Sequence, residues 1–236
     1  MFISKKSMLR LVLFSSLLLS VFSLNACKLV AVSLPDDFSK QAKKVEVKRP
    51  AFTLFTADKL KFGDYQALGL RRGWTRSTNA SFMFAYYNKV SQQYQFHINH
   101  KGNLLWIIRC GLMSKEKTFS KVDRLFCAWK KPKSTESWSM MLQGDNDQPM
   151  WGDLSMNRKV QYKVLGTNRM AGSTWSNQQT TGYHVRIGAQ SGPMIGAVQT
   201  VNSSIVWYQP GLSNSEKHVL ASAYAAILFY RKPTTR

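Results

Sequence analysis

From Phe52 onward, apolar and polar residues alternate in short runs, and turn residues separate the runs. Tyr94-Gln95-Phe96-His97-Ile98 and Val160-Gln161-Tyr162-Lys163-Val164 place an apolar side chain at every second position. A period of two predicts strands with one buried and one wet face. In chain order the pattern predicts strands at Phe52–Phe55, Tyr65–Leu70, Ser81–Tyr87, Tyr94–Ile98, Leu104–Cys110, Arg124–Trp129, Trp138–Gln143, Met150–Leu154, Val160–Leu165, Gly182–Ile187, Ile195–Val201 and Ile205–Tyr208. Lys101-Gly102-Asn103, Gly144-Asp145-Asn146, Gly166-Thr167-Asn168 and Val201-Asn202-Ser203 lie between them. These residues tolerate positive φ or hydrogen-bond their own turns. Short strands at this spacing predict an all-β sandwich or barrel.

The pattern changes at the C-terminus. From Val219 to Tyr230 there is no charged residue. A helix apolar on every face is buried all round or sits in lipid. This one is too short to span a bilayer, which takes about 20 apolar residues. Ser213-x-x-Glu216 forms a capping box at its start, and Lys232-Pro233 ends it. The helix is therefore expected as a core plug. The expected fold is mainly β: about twelve short antiparallel strands in a closed barrel around one apolar C-terminal helix. The alternative is a β-sandwich with that helix packed on one sheet.

Many strands followed by one apolar helix resemble the tubby-like barrel, shared by tubby C-terminal domains, phospholipid scramblases and LURP-one-related proteins. Val219, Leu220, Ala221, Ala223, Ala225, Ala226, Ile227, Leu228 and Phe229 carry the likeness, with Ile195–Gln199 and Ile205–Trp207 as the hairpin leading in. The resemblance implies a roughly twelve-stranded barrel around a buried helix and, by analogy with scramblases, lipid handling. Burial of Tyr224 and Tyr230 would require partners for their hydroxyls.

The N-terminus reads as an address. Lys5, Lys6 and Arg10 precede the apolar run Leu11–Phe22, the pattern of a secretory signal. Leu24-Asn25-Ala26-Cys27 resembles a bacterial lipobox. That resemblance implies a diacylglyceryl thioether on Cys27, which becomes the mature N-terminus. Two acyl chains anchor a protein stably. Lys28 rather than Asp follows, which by analogy implies sorting to the outer membrane, facing the periplasm; inner-membrane retention and secretion are the alternatives. The expected organisation is a signal peptide over 1–26, a lipid-anchored basic linker over 27–50 and one β-rich domain over 51–236.

Composition adds a partner class. With 44% hydrophobic and 12% aromatic residues, the chain can build a core. The net charge is +21, from 33 basic and 12 acidic residues. Removing Lys5, Lys6 and Arg10 with the signal leaves 21 − 3 = +18. Such an excess favours anionic partners: phospholipid headgroups, lipopolysaccharide or acidic cell-wall polymer. Nucleic acid is not expected, because its recognition motifs are missing and the compartment is wrong. Arg71, Arg72, Trp74 and Arg76, set among Gly69 and Gly73, are the candidate anion-binding segment. An Arg stacked on Trp would be the purely structural use of the same residues. Lys115-Glu116-Lys117 is expected at a hairpin tip, and Lys130-Lys131-Pro132-Lys133 as a solvated loop.

Cys110 and Cys127 form an even pair once Cys27 is assigned to lipid, and are a candidate disulfide. His97, His100, His184 and His218 lack zinc-ligand spacing, and Asp145, Asp147 and Asp153 lack the length and terminal Glu of a calcium loop. No nucleophile elbow or P-loop occurs. The expectation is a non-enzymatic binding or structural module for an anionic envelope component or a protein partner, without cofactor or metal. An envelope enzyme built from scattered groups such as Asp64, Asp145 and His184 is the alternative.

Overall fold

The computed structural model describes residues 31–49, 59–82, 85–131, 134–172 and 180–231. The expectations for the signal peptide, Cys27, a strand at Phe52–Phe55 and the stop at Lys232-Pro233 lie outside these residues.

The strands are β1 (Lys43–Glu46), β2 (Leu60–Phe62), β3 (Tyr65–Arg72), β4 (Arg76–Phe82), β5 (Ala85–His100), β6 (Asn103–Lys117), β7 (Ser120–Lys130), β8 (Ser137–Asp145), β9 (Trp151–Met156), β10 (Lys159–Thr167), β11 (Gly182–Ile187), β12 (Met194–Gln199) and β13 (Ile205–Tyr208). Helices are α1 (Asp36–Gln41) and α2 (Asn214–Phe229). The strands form one antiparallel sheet in the order β1-β13-β12-β11-β10-β9-β8-β7-β6-β5-β3-β2, with β4 also paired to β5. Lys48 and Lys61 exchange backbone hydrogen bonds of 2.7 and 2.9 Å, so the two ends of the sheet meet and the barrel is nearly closed.

Local sequence explains the tight hairpins. Lys101 and Gly102 have φ of 49° and 85° between the paired His100 and Asn103. Asn157 and Arg158 have 48° and 70° between Met156 and Lys159. Two positive φ values make the turn whose twist suits a two-residue hairpin.

The barrel is filled by α2. Every residue from Val219 to Phe229 is buried. Its five large aliphatic and Phe side chains at Val219, Leu220, Ile227, Leu228 and Phe229 contribute about 7–15 kcal/mol gross at about 1.5–3 kcal/mol each. A gross term of that size is comparable to the whole net stability of a typical domain. The capping box is present: the Glu216 N–H donates to Ser213 Oγ at 3.2 Å, and the Ser213 N–H to Glu216 Oε2 at 2.8 Å. Tyr224 solves its burial by donating from Oη to the Trp207 carbonyl at 3.1 Å. Gly196 makes the approach possible, since a Cβ there would overlap the Tyr224 hydroxyl.

Two expectations change. The stretch expected as a flexible linker is folded from Ala31 to Arg49. Its β1 pairs with β13, the Val32 N–H donates to Gln199 Oε1 at 2.9 Å, and Phe38 of α1 packs with Ile205 and Trp207. Lysines at 43, 44 and 48 hide the strand, because an edge strand wears charge on its open side while Val45 and Val47 pack on the core. The run Ser81–Tyr87, expected as one strand, is the end of β4 and the start of β5, with Phe82 paired to Ala85.

Candidate functional site

Arg71, Arg72, Trp74 and Arg76 do not come together. Gly69 has φ +65° and packs against the His97 ring, which leaves no space for a Cβ. The register against β5 slips between Leu68 and Arg71. An extra residue in a strand turns all later side chains to the other face. Tyr65 and Ala67 therefore point inward before the bulge, and Leu70 and Arg72 after it. Arg71, Trp74 and Arg76 are exposed.

Arg72 serves the helix. One Nη donates to the Phe229 carbonyl at 2.7 Å, and its guanidinium lies 5.5 Å from the centre of the Tyr94 ring. Arg49 reaches the Leu228 carbonyl at 3.4 Å. The last turn of α2 has no basic residue of its own. Two arginines of the wall supply the positive charge that a helix C-terminus favours. Tyr94 Oη donates to the Ala226 carbonyl at 2.7 Å. Burial pushes the Tyr94 pKa far up, Arg72 pulling partly against it, so the hydroxyl keeps its proton and stays a donor.

The cationic site lies elsewhere. β5 runs on past β3, its residues 94–100 pairing with β3 and 85–91 with β4, while β6 and β7 accompany it to the Lys117–Ser120 pair. On the outer face of this extension is a groove of about 240 Å³ lined by Lys89, Met113, Lys115, Lys117, Ser120, Val122 and Arg124. Strand register assembles it. Lys89 pairs with Lys115 and Lys115 with Val122; Met113 pairs with Arg124. Alternation brings Met113, Lys115 and Lys117 to one face of β6. Lys115 Nζ rests 5.7 Å from the centre of the Tyr87 ring, and the Arg124 Nε donates to Gln143 Oε1 at 3.0 Å. Among the described residues, the salt bridges are Lys121–Asp147 and Lys163–Asp153, and neither uses a groove cation. Asp145, opposite Val122, is the acid at the rim.

Of this groove the sequence carried only the Lys115-x-Lys117 alternation on one strand. Lys115-Glu116-Lys117 is not a tip; it is the end of β6, and the turn is Thr118-Phe119. Lys89 and Arg124 join only through register, which no single run reveals.

The scattered groups stay scattered. Asp64 lies in the β2–β3 turn, where its carbonyl accepts from the Lys101 N–H at 3.0 Å. Asp145 lies at the other end of the barrel, on the rank of Lys89. His184 on β11 meets the Ser33 carbonyl at 3.0 Å, and burial holds its pKa below the usual value. The acidic turn after β8 is stapled to β7: the Asn146 N–H donates to the Lys121 carbonyl at 2.7 Å, and the Lys121 N–H to Asn146 Oδ1 at 2.9 Å. His100 and His218 meet at the N-terminal end of α2 with ring centres 4.8 Å apart, beside Tyr65. Among the described residues, no three His, Cys, Asp or Glu side chains gather as a metal site would need. Cys110 and Cys127 pair across β6 and β7 in a disulfide, with an S–S distance of 2.10 Å and Cα atoms 4.1 Å apart.

No protein-family model, curated protein or solved structure matches the chain. The likeness to tubby-like barrels is one of element order alone.

Proposed function

We propose that the protein is a periplasm-facing lipoprotein of the bacterial envelope, anchored at Cys27, which binds a phosphate-bearing anionic component without chemical conversion. The observation that carries this reading is the groove: Lys89, Lys115, Lys117 and Arg124 converge over Met113 and Val122. The barrel interior is occupied by α2, so the exterior is where a partner meets the domain. Clustered cations of one sign raise the local concentration of anions and speed their encounter. The shared chemistry fits phospholipid headgroups, the phosphates of lipopolysaccharide and acidic cell-wall polymer.

The test is equilibrium binding of soluble inorganic polyphosphate to the wild type and to Lys115→Gln/Lys117→Gln. Each lysine near an anionic surface is worth about 1 kcal/mol, so the double variant should bind about 30-fold more weakly. Affinity should also fall as salt rises. An unchanged affinity in a variant that melts normally overturns the reading.

A further inference from the structure

The groove does not end at its lysines. Beyond Lys117 the hairpin turns through Thr118-Phe119 and returns at Ser120. Phe119 is 94% exposed. The Tyr86 N–H ties this turn to β5, donating to Thr118 Oγ1 at 2.8 Å. The extension therefore has three ranks on one face. Phe119 stands at the tip. Lys117 and the aromatic Tyr87 are paired next to it. Lys89, Lys115 and Arg124 follow.

Folding does not ask for a phenylalanine there. Exposed two-residue turns favour Asn, Asp and Gly, and a Phe left in water forgoes burial that a core position would give it. An apolar patch rimmed by polar residues marks an interaction site. Aromatic rings settle at the boundary between headgroups and acyl chains, and lysines are drawn to anionic headgroups over about a Debye length. Apolar tip and basic shoulder have the order in which a bilayer presents its layers.

We infer that the β4–β7 extension docks on an anionic phospholipid bilayer, with Phe119 entering the headgroup–acyl boundary and Lys89, Lys115, Lys117 and Arg124 on the phosphates. The inference rests on the anion-binding reading and names its partner as a lipid surface. Docking would hold the barrel against the membrane face, in addition to any lipid at Cys27.

The test uses the full chain carrying Cys27→Ser, with vesicles of phosphatidylglycerol and phosphatidylethanolamine or of phosphatidylcholine alone. Whatever residues 1–30 contribute is common to every variant. Phe119→Cys or Trp74→Cys is labelled with an environment-sensitive fluorophore. Trp74 is as exposed as Phe119 (91%) but sits at the β3–β4 break, about eight residues back along β5, roughly 26 Å. On phosphatidylglycerol vesicles, a probe at 119 should shift to the blue and be quenched by spin-labelled acyl chains, and one at 74 should not. Phe119→Ser should lower partitioning onto these vesicles about tenfold and leave polyphosphate affinity unchanged. If the probe at 119 emits as in buffer while the protein is vesicle-bound, or if Phe119→Ser partitions like its parent, tip insertion is overturned and the anion reading stands. If polyphosphate fails to bind and both vesicle types hold the protein equally, both readings fall.

Discussion

Replacing Arg72 with Gln tests the reasoning at its most specific point, because its neighbour Arg71 is chemically identical. The bulge at Gly69 sends Arg72 inward, where it donates to the Phe229 carbonyl at 2.7 Å and covers the Tyr94 ring. A hydrogen bond to a charged donor contributes about 1.5–3 kcal/mol. The cation–π contact adds about 0.5–2 kcal/mol, and positive charge at the end of a helix about 0.3–1 kcal/mol. These terms overlap, and Gln recovers part of the hydrogen bond, so a loss of about 2–4 kcal/mol is expected. For a domain of this size each kcal/mol moves Tm by about 2–4 °C, giving a fall of roughly 4–16 °C. Arg71→Gln touches only solvent and should stay within about 0.5 kcal/mol of wild type. Thermal and urea unfolding of both variants, followed by circular dichroism, measure the difference. Polyphosphate binding, measured alongside, should be unchanged in Arg72→Gln at a temperature where it is folded. If Arg72→Gln melts like wild type and loses polyphosphate affinity instead, Arg72 faces outward and the bulge argument is wrong.

Gly196→Ala places a methyl against the Tyr224 hydroxyl. It should cost about 1–3 kcal/mol in chemical denaturation, and Tyr224→Phe in the same background should recover part of that loss. Stability should also fall on the acid side. His218 faces His100 and Tyr65, with Lys131 and Glu136 acting on it by charge. Burial, and then His100, hold its pKa below 6.5. The unfolded chain therefore takes up protons first as pH drops through about 6.5, and stability is lost between that pH and the lower folded pKa. Urea midpoints between pH 7.5 and 5 should fall less steeply in His218→Gln than in wild type; parallel curves would remove His218 from the cause. Incorporation of radiolabelled palmitate in a bacterial host should vanish in Cys27→Ala, and label that survives the change would end the anchor proposal.

The fold was legible where one local rule governed a segment. The apolar run Val219–Phe229 and the Ser213–Glu216 box specify a buried helix and its start, and the alternation in Tyr94–Ile98 specifies a strand and its inward face. Legibility failed where two rules competed. In Lys43–Glu46 an edge strand carried the charge of a linker, and only its pairing to β13 shows what Val45 is for. In Ser81–Tyr87 a β-prone run spanned a turn, because Phe82 and Ala85 that close it look like strand interior. The site was harder still. Gly69 was visible as a glycine inside a strand, a known sign of a bulge, yet grouping Arg71 with Arg72 ignores the alternation that separates adjacent residues. The groove needed Lys89, Lys115 and Arg124 from three strands in register, a relation set by long-range pairing.

Hydrogen exchange with and without soluble polyphosphate tests the central claim most directly. If a basic outer groove is the binding site, slowed exchange should concentrate in residues 87–91, 113–117 and 120–124, the stretches that line it or flank its lining residues, and leave α2 and the Asp64 end of the barrel unchanged. Protection centred on α2 or on residues 60–66, with none at the groove, would contradict it.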